Sequence, residues 1–435
     1  MTPPRAEGGR PAASATLRRL RLAAGISLGL DGYNLAIIGA VLTWASASLR
    51  LTHGLATLVA AAVLLGSLVG GGLAGWLTDR LGRRTVFAYD LLIFCVFALT
   101  SAVAPTPTVL IASRFAMGLA IGADYAISSA YVAEMSAAQS RGYQLGYVWV
   151  FWAVGGVSAY LLAALAAATL PEALAWRVLL ALPMAPALGA LLLRRRVPES
   201  PRWLVAAGQD AQGAAVLEAY GLEAFRPDPG QLRPGEGVRR WLLATVPWFL
   251  YDFAAYGVGL LLPFVLQESG MTGTGPALLG SAVVAGLGLL GTLAGMAFID
   301  RVGRRPLQGW GLLLPGLLLA TWTVLPDQRS LVFFLVVVSL ANALSMMGGL
   351  VTGVYPAEIF PTRQRATAMG VSTAVSRLGA VIGVIAIGLL ETRFGLVGVV
   401  AGAAAALMMA GVSTFLLGIE TRSRTLEEIV EGALP

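Results

Sequence analysis

Asp79-Arg80-Leu81-Gly82-Arg83-Arg84 returns nearly unchanged as Asp300-Arg301-Val302-Gly303-Arg304-Arg305. A string of this charge density, repeated inside a chain otherwise made of long apolar runs, marks a duplicated fold unit. Other landmarks recur in the same order. Tyr131-Val-Ala-Glu134 followed by Arg141 has a counterpart in Tyr355-Pro-Ala-Glu358 followed by Arg365, with acid and base seven residues apart in both copies. Glu199-Ser200 is matched by Glu420-Thr421. Paired halves inside an apolar protein are how many transporters are built, so the duplication bears on function as well as on fold.

Hydrophobic residues make up 57% of the 435 positions and charged residues 12%, against about half and about a quarter in soluble domains. A helix needs roughly 20 apolar residues to cross about 30 Å of hydrocarbon. Twelve runs qualify, near 22–44, 56–77, 85–104, 107–132, 143–168, 174–193, 241–266, 276–298, 306–325, 330–355, 366–390 and 396–418. The expected fold is therefore an all-α membrane protein with twelve transmembrane helices in two pseudo-symmetric six-helix bundles, at 22–193 and 241–418. A central cytoplasmic loop, 194–240, joins them, with a short helix expected around Ala211 to Ala219 and a Pro/Gly-rich segment from Arg226 to Gly237. Residues 1–21 read as a disordered cytoplasmic tail and 419–435 as a second cytoplasmic tail.

The net charge of +7 does not point to nucleic acid, because the basic residues follow topology. All 30 are arginines, and 24 lie in the N-terminal tail, the alternate loops beginning near residue 80, the central loop and the C-terminal tail. Only Arg50, Arg177, Arg329 and Arg393 fall in the opposite loops, with Arg114 and Arg377 inside spans. This asymmetry obeys the positive-inside rule and predicts both termini in the cytoplasm, as in a multi-pass plasma (inner) membrane protein. The first 22 residues lack the short apolar core and cleavage site of a signal peptide. One cysteine, Cys95, and one histidine, His53, exclude a disulfide framework and a His/Cys metal site. A chain without lysine has neither a P-loop cradle nor a Schiff base, and no nucleophile–base constellation appears, so neither an ATP-driven pump nor an enzyme is expected. No cofactor is implied, and the protein is expected to work as a monomer in the bilayer.

These motifs resemble those of the major facilitator superfamily over about Leu22 to Glu428. Gly75-x-x-x-Asp79-Arg80-x-Gly82-Arg83-Arg84 is similar to that superfamily's loop signature. Pro198-Glu199-Ser200-Pro201-Arg202-Trp203-Leu204 and Glu420-Thr421-x-x-Arg424-Thr425-Leu426-Glu427-Glu428 resemble its sugar-porter branch. The resemblance implies alternating access, two bundles rocking around a central site. The physical reading of the loops agrees: acids and arginines cluster where helices end at one face. Asp79, Arg80, Arg83, Arg84, Glu134, Arg141 and Glu199, with Asp300, Arg301, Arg304, Arg305, Glu358, Arg365 and Glu420, are the candidate gating charges. Pairs made in one conformation and parted in the other bias the equilibrium by about 1–3 kcal/mol; the alternative is topological anchoring alone.

Ionisable groups inside the bilayer cost about 2.5–3.5 kcal/mol each on insertion scales and mark function by default. Five qualify: Asp31 in the first span, Arg114 and Asp124 in the fourth, Asp252 in the seventh and Arg377 in the eleventh. Asp90 is a weaker sixth, a turn or two from the cytoplasmic end and expected to reach interfacial water. In the seventh span Trp248, Asp252 and Tyr256 recur every fourth residue, which puts them on one stripe, about 12 Å long. The alternative is an aromatic packing stripe with one bonded acid.

That stripe and Gly122-Ala-Asp124-Tyr125 resemble the phosphate:proton symporters of the superfamily. The resemblance implies an anion site lined by Trp248, Asp252, Tyr256 and Tyr125, with Arg377 in place of an eleventh-span cation. Arginine stays charged and forks onto carboxylate or phosphate, so an anionic substrate is expected; a buried ion pair with Asp252 or Asp31 is the bland reading of Arg377. The fifth span departs from the family pattern: Trp152-Ala153-Val154-Gly155-Gly156 places Val154 where a glutamine is usual. A site with Trp152 and few donors suits an organic acid better than phosphate.

Proton coupling needs a buried carboxylate that loads on one side and releases on the other. Asp31 and Asp124 are the candidates. Asp31-Gly32-Tyr33-Asn34 resembles the Asp-x-x-Asp pattern of aromatic-acid and phosphate symporters, but its second acid is Asn34, which carries no proton. Sugar:proton symporters tend to have an acid at that place opposite a fourth-span arginine that matches Arg114. The expected function is thus proton-coupled symport of a small anionic metabolite, an organic acid or phosphate. Sugar transport, by symport or facilitated diffusion, and a non-transporting membrane sensor are the alternatives.

Overall fold

The computed structural model describes residues 9–220, 222, 224–225, 232, 235–259, 273–325 and 331–432. Among them the only regular structure is helical, as a bilayer requires, because only a helix or a closed barrel satisfies every backbone N–H and C=O without water. The first half comprises α1 (Gly9–Leu49), α2 (His53–Leu81), α3 (Arg83–Ala102), α4 (Pro107–Met135), α5 (Arg141–Thr169), α6 (Glu172–Ala181) and α7 (Met184–Arg194). Two short helices follow, α8 (Pro201–Ala206) and α9 (Asp210–Tyr220). The second half comprises α10 (Glu236–Gly259), α11 (Thr274–Val302), α12 (Arg304–Val324), α13 (Leu331–Gly349), a 3-10 turn (Leu350–Gly353), α14 (Tyr355–Glu358) and α15 (Arg365–Leu417), followed by α16 (Leu426–Glu431).

Among the described residues ten helices are long and apolar enough to span a bilayer. One of them, α15, is two spans joined at Gly395, whose φ of 60° and ψ of −154° break the helix. With α10 this makes the twelve spans. The sixth is split into α6 and α7 around Pro183, which has no N–H to continue the ladder.

Local chemistry sets the boundaries. Thr52 and Thr106 accept from Leu55 N and Val109 N to start α2 and α4. Thr425 and Glu428 form a reciprocal capping box on α16. The glycine of each repeated motif has a positive φ, +96° at Gly82 and +101° at Gly303, and turns α2 into α3 and α11 into α12. A Cβ at either would collide with the carboxylate of Glu199 or Glu420 respectively, which explains the invariance of glycine between the two copies.

Within the halves α2 lies on α4, α1 on α5 and α10 on α15; between them α2 meets α15 and α5 meets α11. Gly71 and Gly370 face each other across the first of these seams, close enough that a side chain on either would strike the other's carbonyl. Small residues let membrane helices approach in this way.

The structure departs from the sequence expectation at several boundaries. Residues 9–21, expected as disordered tail, extend α1, with Thr16 and Leu20 buried and Arg21 bonded to Gln144 at 2.8 Å. The Pro and Gly of this stretch, Gly9 and Pro11, lie in its first turn, and the rest is mostly Ala, Arg and Leu, which favour helix. Residues 1–8 lie outside the described residues, as do most of Arg226 to Gly237, positions 260–266 of the expected seventh span and residue 330 at the start of the tenth. Within the central loop, α9 occupies Asp210–Tyr220. The expected C-terminal tail contains α16, whose Ile429 and Val430 are buried.

Candidate functional site

At the face carrying the repeated motifs, each half lends an acid to a helix start of the other. Asp79 accepts from Thr367 N and Thr367 Oγ1, both at 2.7 Å, and from Ala366 N at 3.3 Å, at the first turn of α15. Asp300 accepts from Gly142 N at 3.1 Å and Tyr143 N at 2.7 Å, at the first turn of α5. A carboxylate there satisfies N–H groups with no intrahelical partner and meets the positive end of the helix dipole.

Two matched arginine–glutamate clusters lie behind these caps. Within each half, Arg83 forks onto Glu134 at 2.9 and 3.2 Å, and Arg304 onto Glu358 at 2.8 and 3.1 Å. Across the seam, Arg365 reaches Glu134 at 3.1 Å and Arg141 reaches Glu358 at 2.8 Å. Glu199 holds the backbone N–H groups of Arg83 and Arg84 at 3.0 and 3.1 Å, and Glu420 holds those of Arg304 and Arg305 at 3.0 and 3.2 Å. Burial raises the Glu199 carboxyl above its ordinary range, opposed by the N–H groups of Ser200 and Arg84. Four of the expected gating side chains stand outside this lattice. Arg80 lies over the Trp76 ring at 3.8 Å, Arg84 and Arg301 are exposed, and Arg305 bonds the Phe415 carbonyl at 2.6 Å.

Deeper between the halves is a small cavity lined by Tyr125, Trp152, Trp248, Asp252, Tyr256 and Arg377. All six residues expected to line a binding site therefore converge, with Tyr125 and Trp152 from the first half and the rest from the second. The four-residue spacing on α10 aims Trp248, Asp252 and Tyr256 the same way. Arg377 Nη1 bonds Asp252 Oδ2 at 3.0 Å, and its guanidinium carbon lies 4.8 Å from the Tyr125 ring centroid and 5.1 Å from that of Tyr256. Tyr125 Oη, Trp152 Nε1 and Arg377 Nε are buried without a hydrogen-bond partner, and such groups call for an explanation in a folded protein.

The sequence reading missed Trp149, Tyr251, Thr292 and Met346, which also line this cavity. Trp149 precedes Trp152 by one helical turn, a spacing that could have flagged it. It packs on Tyr125 and Trp248 with ring centroids 5.5 and 6.0 Å away. A second, larger chamber, lined by no charged residue, shares Trp152, Ala255, Tyr256 and Met346 with the first and continues past Tyr160 and Val284. Tyr160 stands about 28 Å along α5 from Arg141 at 1.5 Å per residue, so this chamber leads away from the motif face.

Arg114 makes no ion pair with Asp31 among the described residues; its Nη2 donates to the Asn34 carbonyl at 3.2 Å, while Nε and Nη1 have no partner. Asp31 is buried, and its Oδ2 is without a partner. Asp124 bonds Ser128 Oγ at 3.1 Å and Arg194 Nη2 at 2.6 Å. Asp90, expected near interfacial water, is instead buried against the same arginine. The sequence reading takes Arg194 only as the start of the central cytoplasmic loop, because sequence gives no sign that a residue at a span's end turns inward.

A family model described as "Sugar (and other) transporter" matches residues 22–228 and 249–432. The chain is 30% identical over 417 residues to the inner membrane metabolite transport protein YgcS of Escherichia coli, covering 91% of this chain and 90% of that one. It is 30% identical over 377 residues to inorganic phosphate transporter 1-6 of Oryza sativa, covering 73% and 70%. Among solved structures, the proton:xylose symporter XylE of E. coli superposes with a TM-score of 0.81 at 22% identity, covering 96% of this chain and 98% of that one. With the repeated motifs, the twelve spans and the cavity between halves, these likenesses place the chain in the sugar transporter family of the major facilitator superfamily, as a multi-pass membrane transporter of small molecules.

Proposed function

We propose that this transporter works by alternating access, couples the proton gradient to symport of a small anionic metabolite, and favours an organic acid over inorganic phosphate. The observation that carries the reading is the placement of Arg377 in the cavity between the halves, among aromatic rings and with its Nε unpartnered. Guanidinium carries five N–H donors, and Asp252 occupies one of them at 3.0 Å. A carboxylate on the substrate can share the group without displacing Asp252. The aromatic walls and the apolar second chamber favour a cargo with a carbon skeleton over a compact, strongly hydrated oxyanion. Asp31, buried with an unpartnered oxygen in α1, is the proton carrier in this reading. The motif-face lattice is the gate, the motif face is cytoplasmic by the arginine distribution, and the protein acts as a monomer in the plasma membrane.

Uptake into proteoliposomes with an imposed pH gradient, comparing phosphate, small carboxylates, aromatic acids and hexoses, tests this directly. The expected result is gradient-driven uptake of an organic acid. The family's sugar-transporter description favours a second reading, sugar transport, and a response to hexoses alone would replace the first reading with it.

A further inference from the structure

One buried charge cluster belongs neither to the cavity nor to the motif-face lattice. Arg194, the last residue of α7, turns back into the first half and is 3% exposed. Its Nη1 donates to the Asp90 carboxylate and the Phe87 carbonyl. Its Nη2 donates to Asp124 Oδ1 at 2.6 Å and Ser27 Oγ at 2.5 Å. Residues from α1, α3 and α4 thus meet on one guanidinium. Asp90 and Asp124 are each 4% exposed, Asp124 Oδ2 has no partner, and the two carboxyls are held side by side on the two Nη atoms of one guanidinium. Ionised carboxylates only accept, so two of them can bond each other only through a proton.

Charge balance leads to the same place. Two acids against one arginine leave a net negative charge in a site walled off from water, where an uncompensated charge is strongly disfavoured. The surrounding groups do not supply the missing cation. Asp31, from α1, adds a further acid that interacts with both aspartates, and Cys95 of α3 also faces Arg194. Arg114 of α4 bonds the Asn34 carbonyl, and Arg377 of α15 is paired with Asp252. We propose that Asp90, Asp124 and Arg194 form a proton-binding site that holds one proton between the two carboxyls. The site itself is independent of the cargo; its use in driving transport rests on the proton-coupled reading above.

Charge balance makes the proposal countable by infrared spectroscopy of the purified full chain in detergent, following the stretch of buried protonated carboxyls as pH is raised. An Asp31→Asn background removes that residue's contribution. One protonated carboxyl is expected at neutral pH. Asp90→Asn or Asp124→Asn should each abolish it, because the remaining acid then balances Arg194, whereas Arg194→Gln should raise the count to two. The near-isosteric asparagine variants, checked by their melting temperature in detergent, decide the matter if the glutamine variant does not fold. A band absent from the Asp31→Asn protein, surviving both asparagine substitutions, or unchanged in a folded Arg194→Gln protein overturns the site. Uptake by the same variants separates the two readings. The predicted band without any pH-gradient dependence of uptake leaves the site standing and removes proton-driven transport; gradient-driven uptake without the band removes the site alone.

Discussion

Replacing Arg141 with Gln tests whether the motif-face charges bias the conformational equilibrium or only anchor the helices. Arg141 belongs to the first half and bonds Glu358 of the second at 2.8 Å, with both side chains almost fully buried. It also donates to the Arg424 carbonyl at 2.9 Å. Removing one partner of a buried pair costs about 3–5 kcal/mol. Glu358 keeps its fork from Arg304 at 2.8 and 3.1 Å, so the loss falls at the lower end, about 3 kcal/mol. Because this pair joins the halves only while the seam is closed, the whole loss falls on one side of the equilibrium. At about 1.4 kcal/mol per factor of ten, the population with an open motif face rises about a hundredfold. The chain's only cysteine, Cys95, gives a simple assay: alkylation of an Ala357→Cys reporter, buried at the seam, in a Cys95→Ser background. Labelling should accelerate by one to two orders of magnitude in Arg141→Gln, and less in Arg141→Lys. An unchanged rate in a protein that melts normally would refute the gating role and leave topological anchoring.

The second copy makes an equivalent prediction: Arg365→Gln, which removes the 3.1 Å pair to Glu134, should accelerate the same labelling, and a null effect there would deny that the repeat is functional on both sides. Gly82→Ala and Gly303→Ala should each lower stability by roughly 1–3 kcal/mol, from the positive φ, read as a lower melting temperature in detergent; the added Cβ also strikes Glu199 or Glu420. Arg377→Gln should reduce uptake of the active anion by about ten- to a hundredfold, since a hydrogen bond to a charged group contributes about 1.5–3 kcal/mol; a smaller change would mean the guanidinium serves only Asp252. Asp31→Asn should abolish accumulation against a gradient while preserving exchange of labelled substrate, and unchanged accumulation would remove Asp31 as the carrier.

Much of the architecture was legible because its signals are local or repeated. Apolar runs define spans, and the Gly82 and Gly303 copies define equivalent turns. The cavity lining was legible where helical periodicity applies, as with Trp248, Asp252 and Tyr256. Trp149 escaped because a tryptophan in an apolar helix looks like any other packing residue. Arg194 escaped for a different reason: whether a long side chain at a span's end turns to water or back into the bundle depends on acids in α3 and α4, which are distant in sequence. Asn34, which cannot carry a proton, points to the absence of an acid–arginine switch with Arg114, and Arg114 bonds the Asn34 carbonyl. Residues 9–21 are helical because Ala, Arg and Leu dominate them past Pro11 and because Thr16 and Leu20 are buried.

The central claim is that an anion and a proton move together through the cavity around Arg377. The most direct measurement is of substrate-driven proton movement: proteoliposomes in lightly buffered medium, with no imposed gradient, given the active organic acid from outside. The account predicts that the medium becomes more alkaline as protons enter with the anion, and that Arg377→Gln abolishes the signal. Uptake of the same compound with no proton movement, or uptake of a neutral hexose in its place, would contradict it.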